Sequence, residues 1–412
     1  MDNLTHTLVG MVAGDVIARS GAVSTGGLSG TLRRSYVVAV AALGSNLPDI
    51  DLLLTYGGFA PGKMGYLLHH RGHTHTVIGC LLLAALLYAG ARLWARFRGH
   101  HLARGDRVVI AVAALLGVLL HLGMDSLNSY GVHPWWPFDN RWFYGDAVFI
   151  IEPLYWLSVA PLIFTVRTRW ARVALCLVLL LALGIGGLLH RDLPLWLACA
   201  LPLVAAMLFV GRRYSARAAA LTSAVAIVCV TAVFLVSGRV AARDVAAFAA
   251  TNFPRESTVD HVLSPLPSNP LCWNVLLLQE AGEQYVVRQG VVAVAPSLLA
   301  AGRCPTLPLG VQVTAPYQRP RTASSASVRW QGELVMDRSR LAAIVAENCE
   351  ARELMQFARA PFFIEEGHRR VLGDLRFDRE TGLGFAEFEL PDPPARCRFN
   401  VPWIPPRLTL LR

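Results

Sequence analysis

The side chains best equipped for chemistry in this 412-residue chain are histidines and aspartates set at the ends of apolar runs. Asp49 and Asp51 follow one such run in Ser45-Asn46-Leu47-Pro48-Asp49-Ile50-Asp51. His70 and His75 precede another, in His70-Arg71-Gly72-His73-Thr74-His75. His121 and Asp125 close a third, and their i,i+4 spacing puts both on one helix face within reach of one ion. An ionisable group placed in hydrocarbon costs about 2.5–3.5 kcal/mol on insertion scales. Groups kept at that cost usually have a task. Imidazole with carboxylate is a donor set for first-row divalent metals, zinc foremost.

Each motif has a plainer reading when taken alone. His121-x-x-x-Asp125 also describes a helix-terminal histidine bonded to backbone beside a capping aspartate. Asp49 and Asp51 after Pro48 read as a turn and a helix N-cap. The His70–His75 stretch reads as an interfacial loop, and His6 as a surface histidine. Four such signals on one membrane side make these readings jointly less attractive. Asp146 and Glu152 flank a further apolar run, where they offer a second site or a general base, or in the case of Asp146 an N-cap. Arg71 and Arg141 match phosphate geometry and are candidate substrate-binding groups, with interfacial anchoring as the other reading. The aromatic loop His133-Pro134-Trp135-Trp136-Pro137-Phe138, with Trp142, Phe143 and Tyr144, reads as an interfacial belt or as a lipid-facing wall of the site.

The elements that must position these groups are membrane helices. The chain is 54% hydrophobic and 16% charged with mean hydropathy +0.44, too apolar for an ordinary soluble domain. Its formal charge of +10 would suit nucleic acid, but the arginines cluster in short loops between apolar runs, so no nucleic-acid partner is expected. Six strong spanning segments are expected at 76–94, 108–124, 148–166, 172–189, 194–210 and 218–237. Two weaker stretches, 4–18 and 36–54, carry His6 and the two aspartates. The first residues show no basic n-region and no cleavage site, so no cleaved signal peptide is expected.

Loop charges set an orientation. Arg92, Arg96, Arg98, Arg104 and Arg107 share one loop, Arg167, Arg169 and Arg172 another, and Arg212, Arg213 and Arg217 a third. Arg19, Arg33 and Arg34 lie between the weak segments. Alternate loops hold only Arg141 or Arg191. The rich loops are therefore expected in the cytoplasm. All the candidate ligands then fall at extracytoplasmic helix ends.

The composition changes after Ser237. The expected division is a helical membrane domain at 1–238 and a soluble α+β domain at 239–412, mainly α overall. A helix is expected near 338–359, capped by Asp337 or Ser339. Counting an even number of spans places this domain outside the cytoplasm. Cys272, Cys304, Cys349 and Cys397 then allow two disulfides by any of three pairings. Cys80, Cys176, Cys199 and Cys229 lie in apolar runs and read as small buried side chains.

Taken in order, Asp2-Asn3-Leu4-Thr5-His6-Thr7-Leu8-Val9-Gly10, Pro48-Asp49-Ile50-Asp51, His70-Arg71-Gly72-His73-Thr74-His75 and His121-Leu122-Gly123-Met124-Asp125, followed by Gly131 and Pro137-Phe138, resemble the YdjM-type membrane-bound metal-dependent hydrolases. The resemblance covers about residues 1–155. It implies distant similarity to zinc-dependent phospholipase C and the single-strand nucleases, and metal ligands at His6, Asp49, Asp51, His70, His75, His121 and Asp125. His73 falls on a variable place of the pattern. The expected function is hydrolysis of a phosphoester or lipid headgroup at the extracytoplasmic face of a bacterial inner membrane, with a divalent ion, zinc first, as cofactor and the bilayer as partner. Asp51, Asp125 or Glu152 would take the proton. The alternative is a metal-binding or transport-related membrane protein without turnover.

Overall fold

Long apolar runs become helices in the N-terminal part, and alternating segments become strands in the C-terminal part. The computed structural model describes residues 1–20, 27–166, 168–190, 194–305, 314–380, 382–392 and 396–411. Arg167 and Arg191, used in the charge count, lie outside the described residues. In chain order the helices are α1 (Asn3–Ser20), α2 (Gly30–Gly44), α3 (Leu52–Tyr56), α4 (Gly62–His69), α5 (Val77–Phe97), α6 (Arg104–Asp125), α7 (Pro153–Leu157), α8 (Arg169–Leu189), α9 (Pro194–Arg213) and α10 (Ala216–Asn252). Four strands follow, β1 (Ser257–Leu266), β2 (Asn269–Ala281), β3 (Gln284–Ala293) and β4 (Val328–Asp337), then α11 (Arg338–Glu347), α12 (Cys349–Met355), β5 (Pro361–Glu366), β6 (Arg369–Asp374) and β7 (Glu387–Glu389).

Chain contacts divide the protein into two units that are discontinuous in sequence. The first comprises Met1–Ile50, His73–Asn128 and Val148–Val233. The second comprises Asp51–Gly72, Ser129–Ala147 and Phe234–Arg412. The expected division at 238/239 falls inside α10.

Five helices among the described residues are long and apolar enough to cross a bilayer: α5, α6, α8, the Trp196–Arg213 part of α9, and α10. The segment 148–166, expected as a sixth, is not one of them. It folds as the short α7 and a 3-10 helix at Ala160–Phe164. Pro153 and Pro161 stand in the first turn of these two pieces and keep either from extending toward its N-terminus. Tyr155, Trp156, Leu157 and Val159 are instead buried in protein. The parity count that placed the C-terminal part outside the cytoplasm included this span. The weak segment 36–54 is likewise broken. α2 ends at Gly44, and Leu47–Asp51 forms a separate 3-10 helix with Pro48 in its first turn.

Within the first unit α1, α2 and α6 pack closely because two glycines permit it. A Cβ on Gly10 would stand 2.5 Å from Ser45 Oγ, and one on Gly117 would stand 2.5 Å from the Ala41 carbonyl oxygen. Asp2 caps α1 by accepting the Thr5 N–H at 2.9 Å, and Trp156 of α7 donates to Thr5 Oγ1 at 2.8 Å. The other ends of these helices are pinned by charge. Arg34 and Arg19 pair with Asp15, and buried Arg33 pairs with buried Asp106. Of the four apolar-run cysteines, Cys80 alone is buried. Cys176, Cys199 and Cys229 are exposed, contrary to expectation, as membrane-facing positions tolerate small apolar side chains.

The second unit holds the α+β part. β1 to β4 form an antiparallel meander in sequence order, and β5, β6 and β7 form a second antiparallel sheet. Leu278, Tyr285, Leu334, Leu354, Phe357 and Phe362 lie in one buried core with Leu67 and Leu68 of α4. The helix expected near 338–359 is split. Asp337 caps α11 by accepting the Arg340 N–H, and Asn348 starts α12 by accepting the Ala351 N–H. Cys272 bonds Cys304, and Cys349 bonds Cys397.

Candidate metal centre

The helix contacts of the first unit bring four candidate ligands, distant in sequence, to one point. Asp49 sits on the 3-10 helix after α2, and His75 ends a 3-10 turn at His73–His75. Thr76 then caps α5 by accepting the Gly79 N–H at 2.8 Å, which fixes where that helix begins. His121 and Asp125 occupy the last turn of α6. One ligand atom from each of Asp49, His75, His121 and Asp125 lies within 4.8 Å of all the others. His75, His121 and Asp125 are buried.

The separations are those of a coordination shell. His75 Nε2 and His121 Nε2 are 3.0 Å apart. Asp49 Oδ1 is 3.4 Å from His75 Nε2 and 3.3 Å from His121 Nε2. Asp125 Oδ2 is 3.3 Å from His75 Nε2 and 3.6 Å from His121 Nε2. A tetrahedral zinc site with bonds of about 2.0–2.2 Å has ligand–ligand edges of about 3.3–3.6 Å. Four of these contacts exceed the usual hydrogen-bond range and match such edges. The donor set, two imidazoles and two carboxylates, suits a divalent first-row metal.

Neighbouring groups fix the ligands. His121 Nδ1 donates to the Ser45 carbonyl at 2.7 Å, which leaves the Nε2 lone pair for the centre. His75 Nδ1 lies 3.0 Å from the Thr74 hydroxyl. Asp125 divides its two oxygens. Oδ2 faces His75 and His121, while Oδ1 bonds His6 Nε2 at 3.2 Å and contacts the Met1 nitrogen. The His6 ring also stacks on His121 with centroids 3.9 Å apart. His6 therefore supports two ligands and is not one of the four convergent groups. Burial would raise the Asp49 carboxyl, but the neighbouring His121 and His75 imidazoles outweigh it and hold the group well below the usual carboxylate range.

In the second unit Asp51 and His70 form their own pair. His70 Nδ1 is 3.0 Å from Asp51 Oδ1, and the Arg71 N–H donates to Asp51 Oδ2 at 2.9 Å. Arg71 is buried in a left-handed conformation (φ 62°), its guanidinium over the Tyr130 ring. Arg141 is exposed and already bonded through Nε and Nη2 to Asp139. Asp146, expected at a second site or as a cap, instead pairs with Arg359. Glu152 is buried, and its carboxylate caps α7 by accepting the Leu154 N–H at 3.0 Å. Sequence reasoning missed Ser45, whose role is played by a backbone carbonyl that leaves no trace in side-chain type. It also missed Gly10 and Gly117, which a glycine at helix-crossing spacing could have signalled.

An uncharacterized protein of Bacillus subtilis (strain 168), YfhP, is 27% identical over 158 residues, which is 38% of this chain. The chain spans 44% of that relative's length. No solved structure matches. The model of the YdjM inner membrane protein family matches residues 1–193, the stretch that contains all four convergent ligands.

Proposed function

We propose that the protein is a membrane-bound metal-dependent hydrolase acting on a phosphoester at the lipid headgroup, on the extracytoplasmic side of the membrane. One observation carries the reading: two imidazole nitrogens and two carboxylate oxygens converge at the ends of apolar helices, with the four carboxylate–imidazole separations matching tetrahedral edges. His75, His121, Asp49 and Asp125 would hold the ion, and zinc is the first expectation. A divalent ion there supplies Lewis acidity toward a phosphoryl oxygen and makes water a nucleophile near neutral pH. Ser45 holds the His121 tautomer, and His6 orients Asp125. The carboxylates Asp49 and Asp125 are the groups at hand to take a proton from an attacking water.

One feature supports the side. Arg92, Arg96 and Arg98 lie at the far end of α5 from His75, as the positive-inside rule requires for a centre facing outward.

The test is metal analysis of the purified full chain beside His121→Ala, followed by assays on phosphomonoester, phosphodiester and phospholipid substrates with and without chelator. Bound metal, lost in the variant, with chelator-sensitive turnover supports the hydrolase. Bound metal with no turnover on any substrate would leave a non-catalytic binder. Equal metal in both proteins would remove the centre.

A further inference from the structure

An apolar groove of about 670 Å³ runs along the first unit between α2 and α5. Tyr36 and Val40 form its buried floor, Leu87 and Trp94 one wall, and Leu47 and Ile50 its end. Leu47 and Ile50 belong to the same short 3-10 helix that carries the ligand Asp49. The groove is therefore continuous with the metal centre's own support. Its other end points toward the arginine-rich side, where Tyr36 Oη meets His100 Nδ1 at 2.8 Å and Arg98 lies over Trp94.

Its dimensions fit one hydrocarbon chain. Leu32 to Leu43 on α2 covers about 17 Å at 1.5 Å per residue. One leaflet's hydrocarbon is about 15 Å deep. The volume lies within the about 300–1,000 Å³ common for small-molecule sites. The lining is almost wholly apolar, which excludes a sugar or nucleotide and suits a hydrocarbon.

We infer that this groove holds one acyl chain of a membrane lipid whose headgroup is presented to the centre. The headgroup's role rests on the hydrolase reading above, whereas chain occupancy does not. The groove thus acts as a chain-binding subsite that aligns the lipid along α5 and sets its headgroup beside Asp49.

The test uses the full chain in nanodiscs doped with a phosphatidylglycerol that carries a diazirine in a sixteen-carbon chain. After illumination, labelled residues are mapped by mass spectrometry, and metal content is measured on the same preparation. The expected result is severalfold denser labelling at Ala39, Leu43, Leu86 and Leu87 than at Leu177, Leu180 and Phe209, which are exposed apolar residues on α8 and α9. Gly90 borders the groove, and nothing lies within 4 Å of a Cβ added there. Gly90→Leu should fit without clash, cut groove labelling severalfold and leave bound metal unchanged. Ala39→Leu should do the same from the opposite wall. Uniform labelling of all exposed apolar residues, or unchanged labelling in both variants, overturns the subsite. Dense groove labelling on a protein that binds no metal would keep the subsite and overturn the hydrolase reading instead.

Discussion

His75 and His121 aim their Nε2 atoms at one another across 3.0 Å. The Ser45 carbonyl holds the proton of His121 on Nδ1, so its Nε2 is an acceptor while the ring is neutral. The Thr74 hydroxyl can serve either tautomer of His75, since it both donates and accepts. Without an ion, His75 can donate to His121. With one, both present lone pairs to it. The pair is therefore compatible with two states that differ in which nitrogen of His75 carries its proton.

Stripping the metal should consequently loosen the first unit. A ligand present at about 100 to 1,000 times its dissociation constant stabilises a fold by about 2.7–4.1 kcal/mol. Thermal unfolding in detergent should shift down on chelation and recover with added zinc. The double variant His75→Ala, His121→Ala should be insensitive to both treatments. A wild-type midpoint that ignores chelator and zinc alike would speak against a bound ion.

His6→Ala should weaken metal binding rather than abolish it. His6 bonds Asp125 Oδ1 and stacks on His121 but lies outside the convergent four. Loss of a group that orients a ligand typically costs about 10–100-fold in metal affinity. Competition with a chromogenic chelator measures this. Complete loss would make His6 a direct ligand, and unchanged affinity would remove its supporting role.

Gly117→Ala should separate α2 from α6. The added Cβ would stand 2.5 Å from the Ala41 carbonyl oxygen, where backbone must give way. Overpacking of this kind costs about 1–3 kcal/mol. The same shift should draw Ser45 from His121, so thermal stability and metal affinity should fall together. An unchanged midpoint would mean that the helix crossing is slack.

Glu387→Gln tests the second unit separately. Burial pushes the Glu387 carboxyl up to about 7, aided by the Asp378 charge and opposed by the Gly384 N–H. An unfolded glutamate titrates near about 4.3. Between these values the folded chain holds a proton that the unfolded chain releases, so stability falls as pH rises and levels off above the folded value. Melting curves across this range should show that decline in the wild type. In Glu387→Gln it should flatten, and the variant should gain most at alkaline pH. Parallel curves for both proteins would exclude this group as the cause.

Much of the centre was legible because metal ligands must be particular residue types. His75, His121, Asp49 and Asp125 stood out as polar groups at apolar helix ends, where composition alone makes them costly. The two disulfide pairings were not readable, because four cysteines permit three arrangements until the sheet places them. The span expected at 148–166 differs from a single long helix because the segment is broken into two short pieces, with Tyr155, Trp156, Leu157 and Val159 buried in protein. Burial in protein or in lipid leaves the same hydropathy, and only Pro153 and Pro161 hinted at the break. Glu152, read from the sequence as a candidate general base, also caps a helix. A carboxylate inside an apolar run can be retained to cap a helix, as the Leu154 N–H shows.

The divided carboxylate of Asp125 also has a consequence for biosynthesis. Its partner His6 leaves the ribosome 119 residues earlier. Through that interval the opening helix can pack on α2, but the four-residue cluster stays incomplete. Completion of that cluster therefore waits until the end of α6 has been made, which places it late in membrane assembly.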